Sequence, residues 1–200
     1  MNLPNKLSLA RIILAPVFVA FFYLPYEFAP YVAVGIFLLA AFTDFLDGHI
    51  ARKRGLVTDL GKLLDPIADK LLVTCALFCV TSCDTLQYGP LPNTFVLLAV
   101  CSAVIVSREL LVSGVRQIAA AKGKVVAANV FGKIKTVVQD VALPLLVLAK
   151  ASEFAEEDSL FFNLVWLSAT VTLILATLLT IISGVIYLIQ NRKIFKEEEQ

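Results

Sequence analysis

The chain has 200 residues, of which 59 % are hydrophobic and only 16 % charged, with a formal net charge of +1 and a mean hydropathy of +0.86. Soluble domains carry about 25 % charged residues, so this composition excludes a soluble globular enzyme and predicts a polytopic membrane protein, one domain over residues 1–200. The net charge says little about partners; no nucleic-acid partner is predicted, and where the charges sit says more.

At the N-terminus, Met1–Arg11 is polar and basic and leads into an apolar run. No small-residue cleavage site precedes the next polar turn, so the run reads as a retained helix and not a signal peptide. A spanning helix needs about 20 apolar residues. Six candidates follow in order. Ile12–Phe28 is the first, with an interfacial helix at Asn2–Ala10 before it. Tyr31–Ala51, Lys62–Ser82, Thr94–Ala121 and Asn129–Ala149 come next. The last, Leu160–Asn191, is long enough to tilt or to run past the lipid. The predicted fold is an all-α, six-helix membrane bundle.

One set of connections holds Lys6 and Arg11, Arg52 to Arg54, Lys122 and Lys124, and Arg192, Lys193 and Lys196. The other set, Leu24–Pro30, Ser82–Asn93 and Ala151–Ser159, has no Lys or Arg. This alternation predicts both termini on the cytoplasmic side. Cys75, Cys79 and Cys83, four apart, form a stripe on one helix face and read as small packing residues, not as a metal site. The fourth segment would make a helix of roughly 42 Å. Its first half is almost wholly apolar, and its second half holds Arg108, Glu109, Arg116 and Gln117, which should approach the cytoplasmic side.

The same side carries a run of aspartates. Asp44 and Asp47 are three apart at the end of the second helix, about 60° apart around its axis. Asp65 and Asp69 are four apart near the start of the third, about 40° apart. A connecting hairpin can join the two pairs. At a bilayer centre four such side chains would cost roughly 10–14 kcal/mol, comparable to the stability of a typical domain. They must face a polar cavity, and they repel one another unless cations neutralise them. Hard oxygen ligands suit Mg²⁺ or Mn²⁺, one ion or two, and such ions clamp diphosphates. Helix capping explains only Asp65, an N-cap before Pro66, since Asp44 and Asp47 sit at a helix C-terminus that disfavours anions. Asp59, in the loop, is left out of the set, as is His49. Gly48 lets another group approach the backbone, Ala51 keeps that face narrow, and Arg52 can reach a phosphate.

Together these residues read Asp44-x2-Asp47-Gly48-x2-Ala51-Arg52-x8-Gly61-x3-Asp65-x3-Asp69, eight fixed identities over 26 positions. The pattern resembles the signature of the CDP-alcohol phosphatidyltransferases. The opening PNKLSLAR resembles that family's N-x-L-T-x-x-R start, with Ser8 in place of threonine. Ser107–Thr136 is similar to the branch that uses sn-glycerol 3-phosphate, whereas no motif marks the chain after about Pro144. The resemblance implies six spans, a homodimer, and transfer of a phosphatidyl group from CDP-diacylglycerol with release of CMP. It implies a bacterial inner-membrane protein whose site faces the cytoplasm. By the same resemblance Asp44, Asp47, Asp65 and Asp69 hold Mg²⁺ or Mn²⁺, with Asp69 also the general base. Asn5, Gly48, Ala51, Arg52 and Gly61 line the CDP site. The acceptor brings its own phosphate, and Arg108, Arg116, Lys133 and Lys135 are the candidate cations for it. Lys133 and Lys135 lie about 200° apart on an ideal helix, so both reach one phosphate only if the helix starts irregularly near Gly132. Glu109 is a salt-bridge partner and Asp140 a helix–helix contact. Other acceptors, inositol phosphate or serine, are the alternative within the family; an intramembrane prenyltransferase or an ion transporter is the alternative outside it.

Overall fold

Leu24-Pro25 stops the first helix, because a residue before proline is driven out of the α region. Up to that point nothing interrupts it, and α1 runs unbroken over Leu3–Tyr23. The computed structural model describes residues 3–54, 59–83, 93–121, 130–154 and 160–191, and within these the side chains of residues 3–4, 45–54, 59–63, 65–66, 69, 121 and 152–153 are not described. The remaining helices are α2 (Ala29–Arg54), α3 (Asp59–Thr81), α4 (Thr94–Ala121), α5 (Val130–Ala149) and α6 (Leu160–Gln190), with a 3₁₀ turn at Lys150–Phe154 after α5. All described secondary structure is helical.

Several sequence expectations change. A separate interfacial helix at Asn2–Ala10 does not exist; the segment is the first part of α1. Its polar residues Asn5, Ser8 and Arg11 are buried, so they face the protein and not the headgroups. The third helix begins at Asp59, six residues earlier than Asp65. Asp65 is therefore inside the helix and cannot be its N-cap, and the capping explanation for it falls away. The basic residues Arg52 to Arg54 complete α2 and are not a loop. The first helix ends at Tyr23, five residues before the expected Phe28, and the remaining boundaries agree with expectation to within one or two residues.

Helix α1 lies along α2 and α3, α5 runs along α6, α4 packs on α6 and α3, and α2 closes against α5. The six helices thus surround one core. Phe18, Phe22 and Phe37 meet there with ring centroids 6.1 and 6.0 Å apart. Leu77, Leu98, Ile105, Leu143, Leu146, Trp166 and Leu173 continue the core across α3 to α6. Cys79, Cys83 and Cys101 are buried, free thiols, and Cys75 is half-buried, which fits packing. Pairs of small hydroxyls tie helices at one end: Tyr23 to Ser82, and Thr81 to Ser102 at 2.9 Å.

The outer surface is apolar. Ile13, Leu38, Phe42, Phe78, Leu110, Leu164 and Val185 are all exposed. A soluble protein rarely shows so continuous an apolar face, but lipid covers one without cost. Among the described residues three stretches, Asn5–Tyr23, Thr94–Ala120 and Leu160–Gln190, are long and apolar enough to cross a membrane, and Ala29–Asp44 and Lys70–Thr81 are shorter apolar stretches.

Phe37 is 1 % exposed and Phe42 is 58 % exposed on the same helix. Phe37→Ala should therefore destabilise the protein by about 3 kcal/mol by opening a cavity. Phe42→Ala should change thermal stability in detergent little. Equal losses from the two would contradict the assignment of inner and outer faces.

Candidate active site

The polar ends of the helices converge on one end of the bundle. The start of α1 meets the end of α2 through Arg11, whose Nη1 donates to Asp44 Oδ1 at 2.5 Å. Arg11 is 1 % exposed and Asp44 is 49 % exposed. A guanidinium keeps its charge under all ordinary conditions, so burying it requires an anion at hand. Asp44 supplies that anion and still presents half its surface outward. Asn5, the expected CDP-site residue on α1, is buried one turn before the similarly buried Ser8.

Helix α2 carries Asp44, Asp47, Gly48, Ala51 and Arg52, and helix α3, the next in the chain, carries Gly61, Asp65 and Asp69. The helical backbone keeps the two pairs at the spacings of three and four expected above. Apart from Asp44, the side chains of these residues lie outside the described part of the structure. Among the described residues no three His, Cys, Asp or Glu side chains gather as a metal site. The donor set nevertheless suits a hard divalent cation: carboxylate oxygens on adjoining helix ends, of which the one described is half-exposed and binds Arg11 through Oδ1.

A second polar centre lies between α3, α4, α5 and α6. A cavity of about 200 Å³ is lined by Lys70, Arg108, Glu109, Arg116, Lys133 and Tyr187, among others. Three of the four expected acceptor-phosphate cations thus share one cavity. Lys135 does not line it. Helix α5 is regular from Val130, so no irregular start at Gly132 turns Lys135 toward Lys133. Instead Lys135 is 2 % exposed, and its Nζ donates to Glu109 Oε1 at 2.5 Å. Arg108 Nη1 donates to the same oxygen at 3.0 Å. Glu109 is the salt-bridge partner anticipated from the sequence. A smaller neighbouring cavity of about 30 Å³ holds Lys135, Glu109, Gln139 and Asp140, so Asp140 lies at a contact between helices.

The charge balance of this centre is positive. Glu109 and Asp140 supply two negative charges against the five cations Lys70, Arg108, Arg116, Lys133 and Lys135. Such a site favours a small anion, and planar guanidinium groups favour phosphate or carboxylate oxygens. Sequence reading missed four participants. Arg11 was taken only for its charge, although the opening motif ends on it. Lys70 directly follows Asp69 and was passed over. Ser183 and Tyr187 lie in a helix without a motif, where the only signal was a serine, glycine and tyrosine on one face of its last turns.

Comparison with known proteins adds an independent line. A family model described as CDP-alcohol phosphatidyltransferase matches residues 1–189. A Bacillus subtilis protein named CDP-diacylglycerol–glycerol-3-phosphate 3-phosphatidyltransferase is 38 % identical over 98 % of this chain and 97 % of its own length. Proteins of the same name from Rickettsia bellii, 39 % identical over 86 % of this chain and 90 % of the relative, and from Salmonella typhimurium, 41 % identical over 73 % and 76 %, are similar too.

Removing the Asp44 carboxylate would strand the buried Arg11 guanidinium. Asp44→Ala should destabilise the protein by about 2 kcal/mol, below the range for a fully buried pair because Asp44 is half-exposed. Asp44→Asn, which keeps an acceptor oxygen, should cost less. Thermal unfolding without divalent cations checks this; no difference between Asp44→Ala and the unmodified protein would refute the role of the pair.

Proposed function

The chain belongs to the CDP-alcohol phosphatidyltransferase family, and from that premise we propose that it transfers the phosphatidyl group of CDP-diacylglycerol to sn-glycerol 3-phosphate, giving phosphatidylglycerol phosphate and CMP. The observation that carries the choice of acceptor is the cationic cavity of Arg108, Arg116, Lys133 and Lys70. An acceptor without a phosphate, such as serine, has no use for it.

The reaction joins the acceptor hydroxyl oxygen to the phosphatidyl phosphorus and breaks the bond from that phosphorus to CMP. An alcohol is a poor nucleophile until a base takes its proton during attack. Asp69 is that base, and the proton ends on its carboxylate. Arg108, Arg116 and Lys133 hold the acceptor's phosphate and leave its far hydroxyl free to attack. Lys135 stands behind them, paired with Glu109, and adds positive charge without lining the cavity. Asn5, Gly48, Ala51, Arg52 and Gly61 serve the CDP moiety. Asp44, Asp47, Asp65 and Asp69 would hold Mg²⁺ or Mn²⁺, two ions in this reading, whose charge would offset the diphosphate and the leaving CMP. Direct in-line transfer needs no covalent enzyme intermediate.

The same reading has six membrane spans in the bacterial inner membrane, with both termini and the site on the cytoplasmic side. The alternation of basic and Lys/Arg-free connections supports it. So does the meeting, at one end of the bundle, of Arg11 with Asp44 and of Arg108, Arg116, Lys133 and Lys70 around one cavity. A homodimer is the assembly that the family resemblance implies.

Purified protein should release CMP from CDP-diacylglycerol only when sn-glycerol 3-phosphate and Mg²⁺ or Mn²⁺ are both present. Chelation should abolish the release, and equal rates with inositol phosphate or serine would overturn the acceptor. Asp69→Asn should lower kcat about 100-fold or more; near-normal turnover would remove Asp69 from the role of base.

A further inference from the structure

Helix α6 carries no recognisable motif, yet Ser183, Gly184 and Tyr187 contact both arginines of the acceptor cavity. The three are spaced i, i+1 and i+4, so they lie within an arc of about 100° around the helix. Ser183 Oγ donates to the Thr180 carbonyl at 3.2 Å and accepts a hydrogen bond from Arg108 Nη2 at 3.0 Å. The other terminal nitrogen, Nη1, is held by Glu109. The guanidinium is thus fixed from two helices. Gly184 makes room for the rest of the side chain: a Cβ there would lie 3.1 Å from Arg108 Cγ and 3.8 Å from its Nε. Tyr187 is 2 % exposed and packs with Val112 and Val115. Its ring lies under the exposed Arg116, whose guanidinium carbon is 5.8 Å from the ring centre.

A free arginine samples many rotamers and loses that freedom when it grips an anion. An arginine already held in place binds with less loss. The Tyr187 hydroxyl is buried and has no hydrogen-bond partner among the described residues, so the ring is the part of the side chain that contacts Arg116. We propose that Ser183, Gly184 and Tyr187 are positioning residues that hold Arg108 and Arg116 ready for the acceptor's phosphate, so that α6 sets acceptor affinity through the two arginines. This rests on the function proposed above, which brings a phosphate-bearing acceptor to the cavity.

Steady-state kinetics on the full-length protein in lipid–detergent micelles test it. Ser183→Ala, Gly184→Ala and Tyr187→Leu should each raise KM for sn-glycerol 3-phosphate about three- to tenfold. The kcat and the KM for CDP-diacylglycerol should stay within about twofold, as expected for loss of binding that is equal in ground and transition states. Tyr187→Phe keeps the ring and should behave like the unmodified protein. The proposal is overturned if acceptor KM does not move, if KM for both substrates rises together, or if Tyr187→Phe is as impaired as Tyr187→Leu. Thermal stabilisation by inorganic phosphate gives a readout that does not need turnover: the unmodified protein should be stabilised, and Tyr187→Leu less so. Equal stabilisation, or none in the unmodified protein, overturns the positioning role. Phosphate stabilisation without glycerol 3-phosphate-dependent CMP release would instead sink the proposed function and leave the positioning role standing.

Discussion

Burying charge inside an apolar bundle is the constraint on which the rest of this protein depends. Each ion needs a counter-ion or a hydrogen-bonding wall within reach, since neither lipid nor core can solvate it. Arg11 is enclosed and is answered by Asp44. Glu109 is answered twice, by Arg108 and Lys135. Two of these three pairs join different helices: Arg11–Asp44 links α1 to α2, and Lys135–Glu109 links α4 to α5. These charged groups therefore also fix how those helices meet. A change in one partner alters register as well as charge.

This constraint also explains the uneven distribution of residue size. Where Arg108 crosses from α4 to α6, its neighbours are small. Ser183 and Gly184 give the stem of Arg108 a path across α6. Farther along the helices, toward Tyr23 and Ser82, the contacts change to aromatic rings, cysteines and paired hydroxyls. Those groups stabilise without charge, through packing and short local bonds. One end of the bundle thus gathers the polar groups, and the remainder is an ordinary apolar core.

Most of the helix bounds were legible in the sequence because hydropathy reports helix length. The ends of α4, α5 and α6 agree closely with expectation for that reason. The failures have physical causes. Polar residues at the start of α1 read as interfacial because polarity alone does not say whether a side chain faces water or a buried partner. Asp65 read as an N-cap because an aspartate before a proline usually is one; the early start of α3 at Asp59 is not encoded in hydropathy. Lys133 and Lys135 could be separated only by knowing that α5 is regular through Gly132. Ser183, Gly184 and Tyr187 were invisible since their meaning lies in what stands opposite them, on α4, and no local pattern reports a partner seventy-odd residues away.

Helix α3 joins the two halves of the site. Asp69 and Lys70 are consecutive residues on it, about 100° apart around the axis. Lys70 lines the acceptor cavity. The residue proposed as the base and a residue that borders the proposed acceptor-phosphate site are therefore linked by a single peptide within a rigid element. Transfer between two bound substrates depends on holding nucleophile and phosphorus within reacting distance, and small displacements are costly. In the proposed reaction, with the acceptor's phosphate held between α4 and α5, its hydroxyl would reach back toward α3 to meet Asp69. An acceptor of the wrong length would bind through its phosphate and still present its hydroxyl at the wrong place. Selection among phosphorylated alcohols then follows from the spacing between cavity and carboxylates, with charge deciding only that a phosphate is present.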